Sequence, residues 1–205
     1  MNVGIDLDNT IIRYDGLLRR LALAQGRVPP SMPENKQAIR DHVRQRHGET
    51  AWRELQARLY GEAVAEAELH DGVWDFLAEL RRRGLPFQIV SHKTRRPAAG
   101  DQTVDLRQKA MEFLEAKGFF RADGLGMDRR DVHFCDTRAD KTAAIARLGH
   151  TVFIDDLEEV FLDPGFPPGV LKILFSPAPT TRAADARLLP TFAAIARAVL
   201  GEAAV

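Results

Sequence analysis

The residues of this chain that could do chemistry are polar groups placed where apolar runs stop. Asp6 follows Val3-Gly4-Ile5, with Asp8 two residues on; Ser91 follows Phe87-Gln88-Ile89-Val90; Asp155-Asp156 follows Val152-Phe153-Ile154. Short apolar runs of this kind read as strands buried on both faces of a parallel sheet. In an open parallel sheet the carboxyl ends of the strands converge on one crevice, where ligands bind. A single acid at a strand end proves little, but three strand ends that turn polar or acidic after apolar runs make a site signature. Carboxylates so placed can attack an electrophile, exchange a proton or hold a hard cation. The plainer reading of Asp155-Asp156, compatible with metal binding, is the cap of a following helix that contains Glu158 and Val160.

The elements that must position these groups alternate along the chain. Residues 2–7, 87–90, 132–135, 151–154 and 170–175 read as strands. Leu17, Leu18 and Leu21 share a helical face before Gly26, and Ile39 and Val43 share another before Gly48. Thr50 then caps a piece carrying Trp52, Leu55 and Leu59 up to Gly61. Asp71 caps a helix with Val73, Trp74, Leu77 and Leu80; a helix from 105 to 117 carries Leu106, Ala110, Phe113 and Leu114. Asp140 caps a helix to Leu148, and Thr191 to Leu200 forms the last. Nothing between about residues 13 and 85 reads as strand, and the Pro-, Ala- and Thr-rich segment 177–190 receives no element. Strands alternating with helices imply an α/β fold, a Rossmann-like, doubly wound and mostly parallel sheet. The helical block after the first strand is long enough for a small lid. The expected division is a core of residues 1–13 and 70–205 with a helical cap at 14–69.

The segment Asp6-Leu7-Asp8-Asn9-Thr10 resembles the first motif of the haloacid dehalogenase superfamily. Ser91 resembles its second, Lys141 at the start of a helix its third, and Asp155-Asp156 the paired-acid form of its fourth. The helical insertion is similar to that superfamily's cap, so the resemblance covers nearly the whole chain, in order. It implies a phosphatase that depends on Mg²⁺. Asp6 would attack phosphorus and form an aspartyl-phosphate. Asp8 would protonate the leaving oxygen and later deprotonate the attacking water. Ser91 and Lys141 would hold the phosphoryl oxygens, and Thr10 would donate to Asp6 or buttress the turn. The Asp6 carboxylate, the Asp8 backbone carbonyl and Asp156 would hold the metal. Asp155 would then orient Lys141 or a water, with Glu159 in the outer shell. Dehalogenases of the superfamily lack an acid at the Asp8 position, which argues against dehalogenation. Two alternatives stand beside the phosphatase: a sugar-phosphate mutase or phosphotransferase, and a catalytically inactive binding protein on the same fold.

Bulk composition narrows the partners. The 205 residues carry 29 basic and 29 acidic side chains, without the basic excess of a nucleic-acid binder. A lid of this size leaves little room for a phosphoprotein or duplex, so the expected substrate is a small phosphorylated metabolite. The run His92-Lys93-Thr94-Arg95-Arg96 follows the second motif, and His92 is a candidate substrate contact, against the plain reading of a solvated loop. Arg13 and Tyr14 either face the crevice or form the hinge into the cap. Trp52, Leu55 and Leu59 have the spacing of helix core. Cys135 is the only cysteine, which excludes an internal disulfide and reads as an inert buried thiol. No stretch approaches the roughly 18 apolar residues of a membrane span, and the first residues lack a signal-peptide pattern. The expectation is a cytoplasmic protein with no membrane partner.

Overall fold

The run Val3-Gly4-Ile5 has no polar side chain to hydrate, and in the computed structural model, which describes residues 1–177 and 185–201, it becomes the middle of a sheet. This strand, β1 (Val3–Ile5), pairs in parallel with β4 (Phe87–His92) on one side and β6 (Val152–Asp155) on the other. Beyond β4 lies β5 (Val132–Cys135); beyond β6 lie β7 (Leu171–Phe175) and β8 (Arg187–Leu189). The order β5-β4-β1-β6-β7-β8 makes a six-stranded, wholly parallel sheet. The chain winds outward from β1 to β5, then returns across β1 to run the other way. The carboxyl ends of β1 and β6 therefore flank the point where the winding reverses, where such sheets bind ligands. Gly4 is required by a close approach: a Cβ there would lie 2.4 Å from Phe153 Cδ2 and 2.7 Å from His150 Nδ1.

The helices bury the faces their spacing predicts. The chain divides into two units. The first comprises Met1–Ile12, Leu69–Lys93 and Gly118–Val205. In it α3 (Val73–Arg82) buries Val73, Phe76, Leu77 and Leu80 and packs against α7 (Phe192–Leu200). The helix α5 (Arg138–Arg147) and the short α6 (Glu158–Phe161) close a cluster of Val90, Ile145, Phe153, Val160, Phe161, Phe166 and Leu174. Each such side chain removed from water contributes about 1.5–3 kcal/mol before entropy is charged.

The second unit comprises Arg13–Glu68 and Thr94–Lys117. Its helices are α1 (Asp15–Ala24), α2 (Lys36–Tyr60) and α4 (Leu106–Ala116). Gly48, at φ 84°, breaks α2 where the sequence places a stop, with Ile39 and Val43 buried before the break and Trp52, Leu55 and Leu59 after it. The boundaries expected at 14 and 69 lie one residue from the crossings between the two units, but residues 94–117, expected in the core unit, fall in the second unit. The reason is α4, whose buried Leu106, Ala110, Phe113 and Leu114 face α2 and the 3₁₀ turn Glu62–Glu66.

Four further details differ from the sequence reading. A two-stranded sheet of β2 (Ile12–Arg13) and β3 (Glu68–Leu69) lies in a region that showed no strand pattern, because two residues cannot display a period. The segment 177–190 contributes β8, while its residues 178–184 lie outside the described part. Gly72 at φ 77°, not Asp71, occupies the cap position of α3. Thr137, not Asp140, caps α5: its hydroxyl accepts from Asp140 N at 3.0 Å, and Asp140 accepts from Thr137 N at 3.1 Å. That reciprocal pair starts the helix earlier and puts Lys141 in its first turn.

Candidate active site

Asp6 is the first residue past β1, and its N–H donates to Ile154 O at 2.9 Å, which ties the end of β1 to β6. The chain then turns sharply. The N–H groups of Ile11 and Ile12 both donate to Leu7 O, and Asn9 takes φ 63°, a left-handed conformation that asparagine tolerates better than most residues. This turn holds Asp6 and Asp8 near each other with the Leu7 side chain buried.

Lys141 reaches into this end of the sheet from α5. It is 1 % exposed, and its Nζ lies 2.5 Å from Asp6 Oδ1 and 2.7 Å from Asp155 Oδ2. Burial alone would lower the lysine, but the Asp155 and Asp6 carboxylates reverse this and hold it above the ordinary range. Burial pushes the Asp6 carboxyl up to about 7; Lys141 pulls against that rise, and Asp155 and Asp8 add to it. Asp155, fully buried, also accepts from Leu157 N at 3.0 Å, so it shapes the entry to α6 as well as facing Lys141. Asp6, Asp155 and Asp156 offer oxygen atoms within 4.8 Å of one another, the one such acidic group among the described residues. Glu159 is exposed and lies outside that group.

Ser91, near the end of β4, is 1 % exposed and its hydroxyl has no hydrogen-bond partner. The Thr10 hydroxyl is likewise buried without a partner, so it neither donates to Asp6 nor ties the turn. His92, expected to contact substrate, is exposed, and its Nε2 lies 3.0 Å from Asp136 O. The residue brought to the acids is instead Lys93, buried, with Nζ 2.7 Å from Asp8 Oδ2. The alternation of a strand explains the exchange: Ser91 and Lys93, two apart, share a side and His92 takes the other. That period was the signal in the sequence, hidden inside a run of cations. Arg13 pairs with Glu68 and Tyr14 packs edge-on against Tyr60 at 5.1 Å, contacts internal to the second unit. Cys135 is buried and forms no disulfide.

No family model and no curated protein matches this chain. Solved structures of similar fold do. A HAD family hydrolase from Deinococcus radiodurans with bound phosphate and sodium is 17% identical, with a TM-score of 0.61, covering 100% of this chain and 96% of that one. YfnB of Bacillus subtilis, bound to magnesium, is 13% identical at a TM-score of 0.59, covering 97% and 98%. Protein tyrosine kinase A of Mycobacterium tuberculosis is 18% identical at 0.55, covering 96% of each chain. Sheet order, wholly parallel pairing and these full-length likenesses agree: the chain has the fold of the haloacid dehalogenase superfamily of hydrolases.

Proposed function

We propose that this chain is a magnesium-dependent phosphohydrolase that releases phosphate from a small phosphorylated metabolite through an aspartyl-phosphate at Asp6. The observation that carries the reading is one buried ammonium ion, Lys141, shared by carboxylates from two neighbouring strand ends at 2.5 and 2.7 Å. Two carboxylates contact that single charge and Asp156 offers a third oxygen within 4.8 Å of theirs, an all-oxygen, acid-rich set that a hard divalent cation fits. Asp6 and Asp156, with the Asp8 backbone carbonyl, are the groups we assign to hold it, because Asp155 is engaged by Lys141 and Leu157 N. Bound there, Mg²⁺ neutralises the repulsion between carboxylates and a phosphate dianion. The unpartnered Ser91 hydroxyl is what a phosphoryl oxygen would satisfy.

In this reading the Asp6 carboxylate attacks phosphorus as the bond to the leaving oxygen breaks, and Asp8 gives that oxygen a proton. Water then attacks phosphorus, Asp8 takes back a proton, and phosphate leaves Asp6 restored. Lys141 and Ser91 hold the oxygens on which charge gathers. Like-folded structures that hold phosphate and magnesium support the assignment.

The test is phosphate release from p-nitrophenyl phosphate and a panel of phosphorylated metabolites, with Mg²⁺ or EDTA, beside Asp6→Asn. We expect metal-dependent release that falls about 10³-fold or more in the variant. Equal release by variant and wild type would overturn the nucleophile. Phosphate passed to a sugar acceptor rather than to water would establish the transferase alternative instead.

A further inference from the structure

Two lysines are buried among the described residues, Lys141 and Lys93, and the reaction above uses only the first. A lysine leaves water only when it gains a partner. Lys93 has such a partner in Asp8 Oδ2, at 2.7 Å. The lysine is itself anchored: its N–H donates to Cys135 O at 3.1 Å, extending the β4–β5 ladder by one residue. Asp8 is less enclosed, its side chain 19% exposed against 3% for Lys93, and it stands on the turn at Asn9. A carboxylate on a turn has two equivalent oxygens and two free torsions, unless something fixed holds one of them.

We propose, on the phosphatase reading, that Lys93 is a positioning residue: by holding Oδ2 of Asp8 it reserves Oδ1 for proton exchange with the reacting oxygens. In the first step the Asp6–phosphorus bond forms, the bond from phosphorus to the leaving oxygen breaks, and the Oδ1 proton passes to that oxygen. In the second, the water oxygen bonds to phosphorus, its proton passes to Oδ1, and the Asp6–phosphorus bond breaks. Lys93 keeps its protons throughout. A lysine that instead gripped the phosphoryl group would matter equally for every substrate. One that acts through Asp8 matters most where the leaving oxygen needs a proton.

The experiment compares kcat/KM on p-nitrophenyl phosphate, whose phenolate departs unprotonated, with an alkyl phosphate that the wild type turns over. It uses the full chain with Mg²⁺, as wild type, Asp6→Asn, Lys93→Met, Lys93→Arg, Asp8→Asn and Lys93→Met/Asp8→Asn. We expect Lys93→Met to lose about 100-fold on the alkyl ester and less than about 5-fold on the aryl ester. Lys93→Arg should recover part of the alkyl loss, and Lys93→Met should cost nothing further once Asp8 is Asn. Equal losses on both esters, or a further loss in the double variant, would overturn the positioning role while Asp6-dependent turnover still stood. An Asp6→Asn enzyme as active as wild type would remove the reaction itself, a distinct result. If Lys93→Met does not fold, the double variant, which removes both charges together, carries the comparison with Asp8→Asn alone.

Discussion

A buried hydroxyl with no partner costs a fold about 1–3 kcal/mol, and Ser91 carries that cost at the end of a strand whose next buried residue is Lys93. Ser91→Ala should therefore leave the melting temperature unchanged or raise it, while kcat/KM for phosphate esters falls about 10- to 100-fold. A melt and a rate on the same sample check both signs at once. Lys141 should behave in the opposite way. Removing it leaves the Asp6 and Asp155 carboxylates buried without a counter-charge, so Lys141→Met should cost about 3–5 kcal/mol in metal-free buffer. Added Mg²⁺ should then raise the melting temperature of the variant more than that of wild type; an equal rise would argue against a cation held at Asp6 and Asp156. Asp6, Ser91 and Asp155-Asp156 stood out because a polar group ending an apolar run is informative by type and place, whereas Lys141 stood out only through the family resemblance. Lys93 did not stand out, since one cation among His92, Arg95 and Arg96 differs from its neighbours only in which way its strand turns it.

Among the elements, the buried parallel strands were the easiest to read. β1 and β6 are apolar runs bounded by polar residues, β4, β5 and β7 are mostly apolar runs interrupted by Gln88, His133 and Lys172, and the structure places all five within a residue or two of expectation. β8 escaped because Arg187–Leu189 is three residues long and follows a Pro- and Ala-rich stretch with no period. The helix starts misread at Asp71 and Asp140 share a cause: an acid in or near the first turn looks like a cap from sequence, while backbone geometry decides which residue is one. Thr137→Ala should accordingly cost about 1 kcal/mol, read as a shift in a denaturant midpoint. Gly4→Ala should cost more, about 1–3 kcal/mol, because Phe153 and His150 must move to admit the methyl group. Retention of full stability by Gly4→Ala would mean that β1 can shift in the sheet.

For the whole molecule, pH adds a test that does not involve the acidic site. Burial lowers the His150 pKa from 6.5 to about 4, with nearby His133 adding to the effect, and His150 Nε2 lies 2.8 Å from Gln88 Oε1. The fold thus holds the neutral ring. Its contribution is complete above pH 6.5 and is lost as pH falls toward 4, since the unfolded chain takes up the proton first. His150→Gln should flatten the stability curve in that window; an unchanged slope would assign the acid limb to other groups. The assignment of α4 to the second unit could not be read at all from sequence. Its period announces a buried face, but which neighbour covers that face depends on contacts some 50 residues away.

The central place of the first strand also bears on how the chain is made. β1 is synthesised long before its two neighbours, which begin at Phe87 and Val152. A nascent chain stopped short of residue 150 would have one edge of β1 open to any other extended segment nearby. Long-range pairings of this kind slow folding, since the intervening loop must close before any ladder bond rewards it. Asp6 and Asp8, at the tip of β1, would thus be translated well before the strands that flank them and be among the last groups of the sheet to be assembled.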